Sequence, residues 1–599
     1  MNRLFLIFCL PALLAASCND SFLERSPEDK VSDGAVWKTP EHLRLYANNF
    51  YNRIDLLPSY ADYGNMGIFT LDRDNGSDTQ VGINHNARLN GEGIVPTSGG
   101  GWAIDDWAAL RDVNYFLASC GKASGNQAEI NRYVGEALFF RAIFYFNKLR
   151  RFGDLPIYKT LLDIDDTEDL YRGRSSRGKV VEWMLSDLDS AVAYLPSRTD
   201  AGWRGRVNRE TAMLLQARIA LYEGTWEKYH ALANTPFKVG GASGTPFIEK
   251  AVDVTDKLMG MGTCGLDNVG VPNGYWLLFN RESYANSREV LFWRQYADNV
   301  LTHYWADYSS NGGGTGLTKS MVDSYLCIDG KPIDVSSLYT VGQSDSTLLS
   351  VVENRDPRLR QTIYVNDGLH FRFTEPNDTF FYPVFTGANE KKCVTGYQLY
   401  KGHNPNRERA SKQTGITGLI YFRYAEALLI NAEAKAELDD VGRRPITQSD
   451  LDATINLLRG RVGMPHLRLA EVGAWGSYAK EFPLLSGIVN EVRRERKVEL
   501  AAEGFRTDDL FRWAAAEHLI YRQRPRGAKR AQWERLPANV AGSILSIPVD
   551  RDGYIDPYAN VLGSGVRSGY RFNRERDYLY PIPRTELVLN PKLRQNPGW

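Results

Sequence analysis

Several short stretches of this chain hold residue types whose spacing could do chemistry. Residues 312–320 read GGGTGLTKS. A phosphate-cradling loop has the form GxxxxGK[ST], with glycine beside the lysine so that backbone N–H groups can wrap a phosphate. Thr318 stands where that glycine is needed, and no apolar strand leads in. The stretch therefore reads as a glycine-rich loop beside a site, not as a nucleotide pocket. Residues 72–78, DRDNGSD, gather three carboxylates. An EF-hand loop starting at Asp72 would need glycine sixth and glutamate twelfth, but Ser77 and Ile83 occupy those places. A polar loop, hydrogen-bonding groups for ligand hydroxyls and a nonstandard calcium site stay open, in that order. Asp72, Arg73 and Asn75 are the candidate polar contacts. The eight histidines form no HExxH pattern and no GxSxG elbow is present, so nothing points to a zinc hydrolase or a serine nucleophile. No catalytic residue, metal ligand or cofactor site is expected. Residues 493–497, RRERK, interleave with Glu491 and Glu499 at helical spacing and read as a salt-bridged helix, not a nucleic-acid patch.

The strongest chemical signal is aromatic. The chain carries 13 Trp and 32 Tyr, rings that pair an apolar face with a hydrogen-bonding group. Trp102 follows Gly99-Gly100-Gly101, Trp276 follows Pro272-Asn273-Gly274-Tyr275, and Tyr304 precedes Trp305. A ring on an exposed loop can stack on the C–H face of a sugar while neighbouring polar groups bond its hydroxyls. Trp102, Trp276, Trp305 and Tyr304 are therefore the candidate ligand rings. If they are surface rings, replacing the three tryptophans by alanine removes binding and leaves stability almost unchanged.

These residues must be positioned by a large fold. The chain has 599 residues, 43% hydrophobic and 24% charged, ample for a sizeable core. Lys plus Arg and Asp plus Glu are both 72, which argues against a dedicated nucleic-acid binder. Apolar residues repeat with helical period in 40–54, 102–120, 130–149, 178–195, 210–222, 421–438, 451–462 and 485–502. Arg141 falls on the apolar stripe of 130–149, where it reads as half of a buried ion pair. Gly504 is placed to close the helix ending near 502. Residues 238–413 are rich in Gly, Pro, Asn and aromatics and read as long loops with short strands at 289–295 and 371–373. Helix pairs joined by turns suggest a helical-repeat scaffold, although no clean 34-residue repeat is present.

The N-terminus has a basic residue, a short apolar run from Leu4 to Ala16, small residues and then Cys18. That is a secretory signal, too short to span a bilayer, and it resembles a bacterial lipoprotein signal with Cys18 as the acylated residue. Cys120, Cys264, Cys327 and Cys393 show no C-x-x-C pair; one or two disulfides are compatible with export.

Several blocks together resemble the SusD/RagB family of Bacteroidetes outer-membrane lipoproteins. They are 18–24 (CNDSFLE), 37–39, 140–142, 152–156 (FGDLP), 321–325 (MVDSY), 329–332 (DGKP), 355–358 (RDPR), 423–429 (RYAEALL), 432–434, 495–500 (ERKVEL), 503–506 (EGFR), 509–513, 580–583 (YPIP), 590–591 and 595–599 (QNPGW). The resemblance implies a mostly helical protein. Tetratricopeptide-like helix pairs would form a superhelical scaffold carrying a large loop-rich, partly β ligand-binding insertion. It implies a signal peptide at 1–17, a lipidated tether at 18–39, an N-terminal helical part at 40–237 and a C-terminal part at 238–599. It further implies a non-enzymatic protein, anchored on the outer-membrane surface, that captures a glycan and passes it to a SusC-like TonB-dependent transporter. Some relatives are similar to peptide binders with the same partner. A glycoside hydrolase is the enzyme-class alternative, with no residue pattern to favour it.

Overall fold

The computed structural model describes residues 37–53, 56–57, 60–61, 67–68, 71, 73–385, 389–410, 414–473, 481–533, 544–561, 563 and 565–599. Cys18 and Asp72 lie outside the described residues.

The scaffold is helical, and several helices begin where a side chain accepts from their first N–H groups, at Thr39, Asn126, Asn208 and Ser486. Helix α1 (Pro40–Ala47) follows Thr39, whose hydroxyl accepts from His42 N, and carries proline in its first turn. Next come α2 (Ala108–Ser119) and α3 (Gln127–Phe152), the latter capped by Asn126, which accepts from Ala128 N and Glu129 N. Ile130, Tyr133, Ala137, Phe140 and Phe144 repeat at the helical period along α3 and are all buried. Gly153, at φ +72°, stops α3 in a conformation that side-chain-bearing residues rarely adopt. Helices α4 (Arg177–Tyr194), α5 (Arg209–Leu232), α6 (Thr245–Gly260), α7 (Tyr424–Asp440) and α8 (Gly487–Glu499) follow. The short α9 (Arg506–Arg512) packs on α5. Neighbours pack in succession, α3 on α4, α4 on α5, α5 on α6, α6 on α7 and α7 on α8. This is the expected tetratricopeptide-like stacking.

The helix α6 departs from the expected loop at 238–413. Its Pro246 occupies the first turn, where a missing N–H does no harm, and Ile248, Ala251, Val252, Thr255 and Leu258 form a buried stripe. Where α5 meets the start of α6, Gly224 and Gly244 touch backbone to backbone, and a Cβ on Gly244 would overlap Gly224. Two more expectations shift. Tyr421 lies in a strand, with the helix starting only at Tyr424, and 451–462 is split into Gln448–Asp452 and Ile455–Arg461. All four described cysteines are free thiols.

The strands form short antiparallel pairs, two of which join distant parts of the chain. Strand β1 (Tyr60–Ala61) pairs with β2 (Gly67–Ile68), and β3 (Gln80–Gly82) pairs with β5 (Thr315–Leu317). Strand β4 (Val290–Arg294) pairs with β8 (Leu419–Arg423), and β6 (Phe371–Phe373) forms a hairpin with β7 (Asp378–Thr379). The largest apolar cluster takes residues from both 40–237 and 238–599, for example Phe140, Trp226, Leu428 and Tyr578. A second cluster lies under the insertion and includes Trp305, Tyr325, Tyr364 and Trp533. No helix among the described residues is long and apolar enough to cross a membrane.

The charge run at 493–497 forms part of a buried ionic seam, in which Glu495 takes Arg459 (3.0 Å) and Arg493 reaches Glu437 (2.9 Å). Arg423, at the β8–α7 junction, donates to Glu289 (3.0 Å), Glu499 (2.8 Å) and Glu503 (2.7 Å). Glu499 also receives Arg461 (2.5 Å) and Arg358 (3.0 Å), and Arg512 reaches Glu433 at 2.5 Å. Burial pushes the Glu499 carboxyl up, but Arg461, Arg423 and Arg358 together hold it well below the ordinary range. Removing one partner would leave an uncompensated buried charge, which typically costs about 3–5 kcal/mol.

Candidate functional site

The expected ligand residues fall into three environments. Trp102 and Trp305 are core residues, 5% and 1% exposed, and neither presents a face to a ligand. The glycine run before Trp102 turns back onto α3, where Lys148 Nζ donates to Gly101 O (2.6 Å) and Arg151 to Gly100 O (3.1 Å). That turn drives Trp102 edge-on against Trp107 and Phe152, with centroids 5.3 and 4.9 Å away. Trp305 opens the short helix Trp305–Asn311 and packs beneath Gly313 in the second cluster. Trp102 keeps the loop context its glycines implied, whereas Trp305 lies in a helix, and in both cases the ring is an apolar anchor.

The polar cluster is also structural. Asp74 accepts Arg506 N (2.8 Å) and Gly504 N (3.2 Å), and burial pushes its carboxyl up to about 7. Asp78 takes the Arg506 guanidinium at 2.7 Å through both oxygens. Asn75 accepts Thr315 Oγ1 at 2.6 Å beside the β3–β5 pair. Arg73 lines a cavity of about 180 Å³ with Arg218, Tyr421, Glu426 and Glu503, and a Cβ on Gly504 would strike its side chain. Residues 73–78 thus dock an N-terminal loop onto the start of α9. Arg141 pairs with Asp187 at 2.7 Å, the buried ion pair its position implied. Lys319 of the glycine-rich stretch is held by Asp323.

The third environment is a half-exposed aromatic surface on the insertion. Tyr304 and Tyr308, one helical turn apart, are both half-buried and stack with centroids 5.8 Å apart at 14°. Beside them Asp307 pairs with Lys391 at 2.9 Å. The helix that carries Tyr308 packs on the β6–β7 hairpin. Downstream of the hairpin the chain is extended, so successive side chains point opposite ways. Phe380 turns inward and stacks on Tyr364 at 4.7 Å, whereas Phe381 turns outward and is 63% exposed. Arg372 donates to Tyr382 O (2.5 Å), and Cys393 N donates to Val384 O (2.6 Å), tying this stretch to the hairpin and to the segment at Cys393. Trp276 is half-buried on the same insertion. One face stacks on Tyr400 at 5.0 Å and 12°, and its Nε1 donates to Tyr400 O (3.2 Å). Leu277 beside it and Leu369 on the preceding loop are exposed.

Tyr304 and Trp276 are therefore the two expected rings with surface access, and Tyr308 and Phe381 join the set. The i, i+4 spacing of Tyr304 and Tyr308 and the FFYPVF run at 380–385 were the available signals. Parallel half-exposed rings, with an ion pair at their edge, can stack on an apolar ring face and bond surrounding hydroxyls. Among the described residues no group of His, Cys, Asp and Glu could hold a metal ion.

A separate open cleft of about 800 Å³ lies between α8 and the 518–526 segment. It is lined by Lys319, Arg494, Lys497, Arg522, Arg524 and Arg526 against Asp78, Asp323, Asp334 and Glu481. Among its described lining residues Tyr570 is 1% exposed and His518 is the exposed ring, so the cleft offers mainly charge.

Comparison with known proteins follows the fold. The SusD family model matches residues 278–599. SusD-like protein P2 of Formosa agariphila is 23% identical, with all of both chains covered. SusD-like protein P38 of the same organism is 28% identical over 84% of this chain and 90% of its own. Among solved structures, a SusD-like carbohydrate binding protein from Bacteroides fragilis superposes with a TM-score of 0.69 at 22% identity, covering 93% of this chain and 100% of its own. A laminarin binding SusD-like protein gives 0.54 at 18% identity, over 94% of this chain and 100% of its own. At these identities the structural likeness speaks for the fold alone.

Proposed function

The chain belongs to the SusD/RagB family, and on that premise we propose that it is a non-enzymatic, cell-surface glycan-binding protein that hands its ligand to a SusC-like TonB-dependent transporter. Cys18 is the proposed lipid attachment at the outer membrane. The observation that carries the glycan reading is the stacked Tyr304–Tyr308 pair on the insertion, with Asp307 and Lys391 at its edge. Trp276 and Phe381 are further rings of the insertion with surface access. Stacking needs no catalytic group, and a few weak contacts on an open face suit a protein that must release its cargo. The description of one structural neighbour as laminarin binding supports an oligosaccharide ligand without naming this one.

Calorimetric titration of the soluble protein with an oligosaccharide library tests the reading. Binding by the native protein and its loss in Tyr304→Ala/Tyr308→Ala is the expected result. Release of reducing ends from a polysaccharide by the purified protein would point to a hydrolase instead. The second reading is a peptide binder with the same transporter partner. The mixed charge of the cleft beside α8 favours it, because peptides carry both signs.

A further inference from the structure

The cleft beside α8 has a feature that mixed charge alone does not describe. Three of its carboxylates already hold a cation. Asp78 holds Arg506, Asp323 holds Lys319, and Glu481 holds Lys497. Burial pushes Glu481 up, yet Lys497 and Arg506 bring it down to about 2, so it stays ionised and neutralises its partners. On the opposite wall, Arg522, Arg524 and Arg526 form a row along one segment.

That segment is pinned by its backbone. Arg522 N donates to Tyr570 O (2.7 Å), Tyr570 N to Gln523 O (3.1 Å), Lys319 N to Arg526 O (2.7 Å) and Gly527 N to Ile555 O (2.8 Å). Arg522 sits at φ +61°, a conformation uncommon for a residue of its kind. Its guanidinium lies over Tyr521 at 5.0 Å and has no carboxylate partner among the described residues. Asp556 holds Arg524, and Asp550 (2.7 Å) and Asp552 (2.9 Å) hold Arg526. A guanidinium has five N–H donors, so one or two carboxylates do not exhaust it. The side chains of Arg524 and Arg526 remain 47% and 41% exposed. Two residues apart on an extended chain, they stand about 7 Å from each other. The cleft volume of about 800 Å³ lies within the range of ligand sites.

We propose that this cleft binds the acidic groups of a glycan, carboxylate or sulfate, through Arg522, Arg524 and Arg526. The inference rests on the glycan reading above and narrows it to acidic or acid-substituted sugars. Planar guanidinia suit both groups because they bind paired oxygens bidentately. The aromatic surface would hold uncharged ring faces, and the arginine row would select for charge.

The test is calorimetry on the complete chain with four probes: oligogalacturonate, its methyl ester, a sulfated oligosaccharide of similar length and poly-glutamate. Native protein, Arg522→Gln/Arg524→Gln and Tyr304→Ala/Tyr308→Ala are compared, and thermal unfolding verifies that each is folded. The proposal expects at least one acidic oligosaccharide to bind about tenfold or more tightly than the uncharged ester. That preference should shrink between 50 and 500 mM salt, on the order of the screening expected for exposed charges. It should be lost in the arginine variant, whereas the tyrosine variant should weaken the acid and the ester alike. Equal affinity for acid and ester, or a preference untouched by the arginine changes, overturns the inference and leaves the glycan reading standing. Binding of poly-glutamate and of no sugar overturns both.

Discussion

Trp305→Ala separates a core ring from a ligand ring most sharply. Trp305 is 1% exposed and packs in the cluster beneath the insertion. A buried tryptophan hides about 200 Å² of surface, and at about 25 cal/mol/Å² that corresponds to about 5 kcal/mol. Measured Trp→Ala losses in cores, about 3–5 kcal/mol, agree. With a urea slope of about 3 kcal/mol/M, the unfolding midpoint should fall by about 1 M or more. Far-UV circular dichroism in urea reads the change. Tyr304→Ala is the control, because a half-buried surface ring should cost about 1 kcal/mol or less. If Trp305→Ala unfolds within about 0.5 kcal/mol of the native protein and loses only its ligand, the assignment of this ring to the core is wrong.

Other outcomes follow from the same geometry. Arg423→Ala should destabilise by about 3–5 kcal/mol in urea, because Glu289, Glu499 and Glu503 would share too few cations; a change below about 1 kcal/mol would show the seam to be solvated. His230, His303 and His403 are buried, and burial lowers them to about 3, about 3 and about 4. The unfolded chain takes up these protons first, so stability should fall as pH drops from about 6.5 towards 4, by about 2 kcal/mol per histidine at pH 5. A flat urea stability between pH 7 and 5 would contradict this. Asp74, raised to about 7 by burial, works in the opposite direction, with the folded state binding the extra proton. Its contribution should decline as pH rises from about 4 to 7 and then level off, and Asp74→Asn should remove that component of the urea titration. Cys18→Ser should abolish incorporation of radiolabelled palmitate and release the protein from the membrane fraction; retention of the label would place the anchor elsewhere.

Much of the scaffold was legible because helical period and capping are local. Thr39-Pro40, Asn126 and Gly153 mark the ends of α1 and α3 in the sequence itself, and Arg141 on an apolar stripe correctly implied a buried partner. Helix α6 was hidden because Pro246 and its neighbouring glycines resemble a loop, although proline in a first turn opens helices. Tyr421 follows the same apolar stripe as Tyr424, but pairing with β4 makes it a strand residue, and that pairing joins positions over a hundred residues apart. The site was less legible for the same reason. Trp102 and Trp305 both sit beside glycine-rich turns, as exposed rings do, yet the turns fold back and bury them. Tyr304 and Trp276 keep surface access because other rings support one face. Asp74 and Asp78 carry the charge of a binding loop, but Gly504 and Arg506, more than 400 residues later, claim them.

Sugar binding by the Tyr304–Tyr308 surface carries the functional reading. Titration of an oligosaccharide library into native and Tyr304→Ala/Tyr308→Ala protein, both verified as folded, tests it most directly. Measurable heat is expected for at least one oligosaccharide with the native protein, with a loss of about tenfold or more in affinity for the variant. Equal affinity of the two proteins for the same oligosaccharide would contradict it.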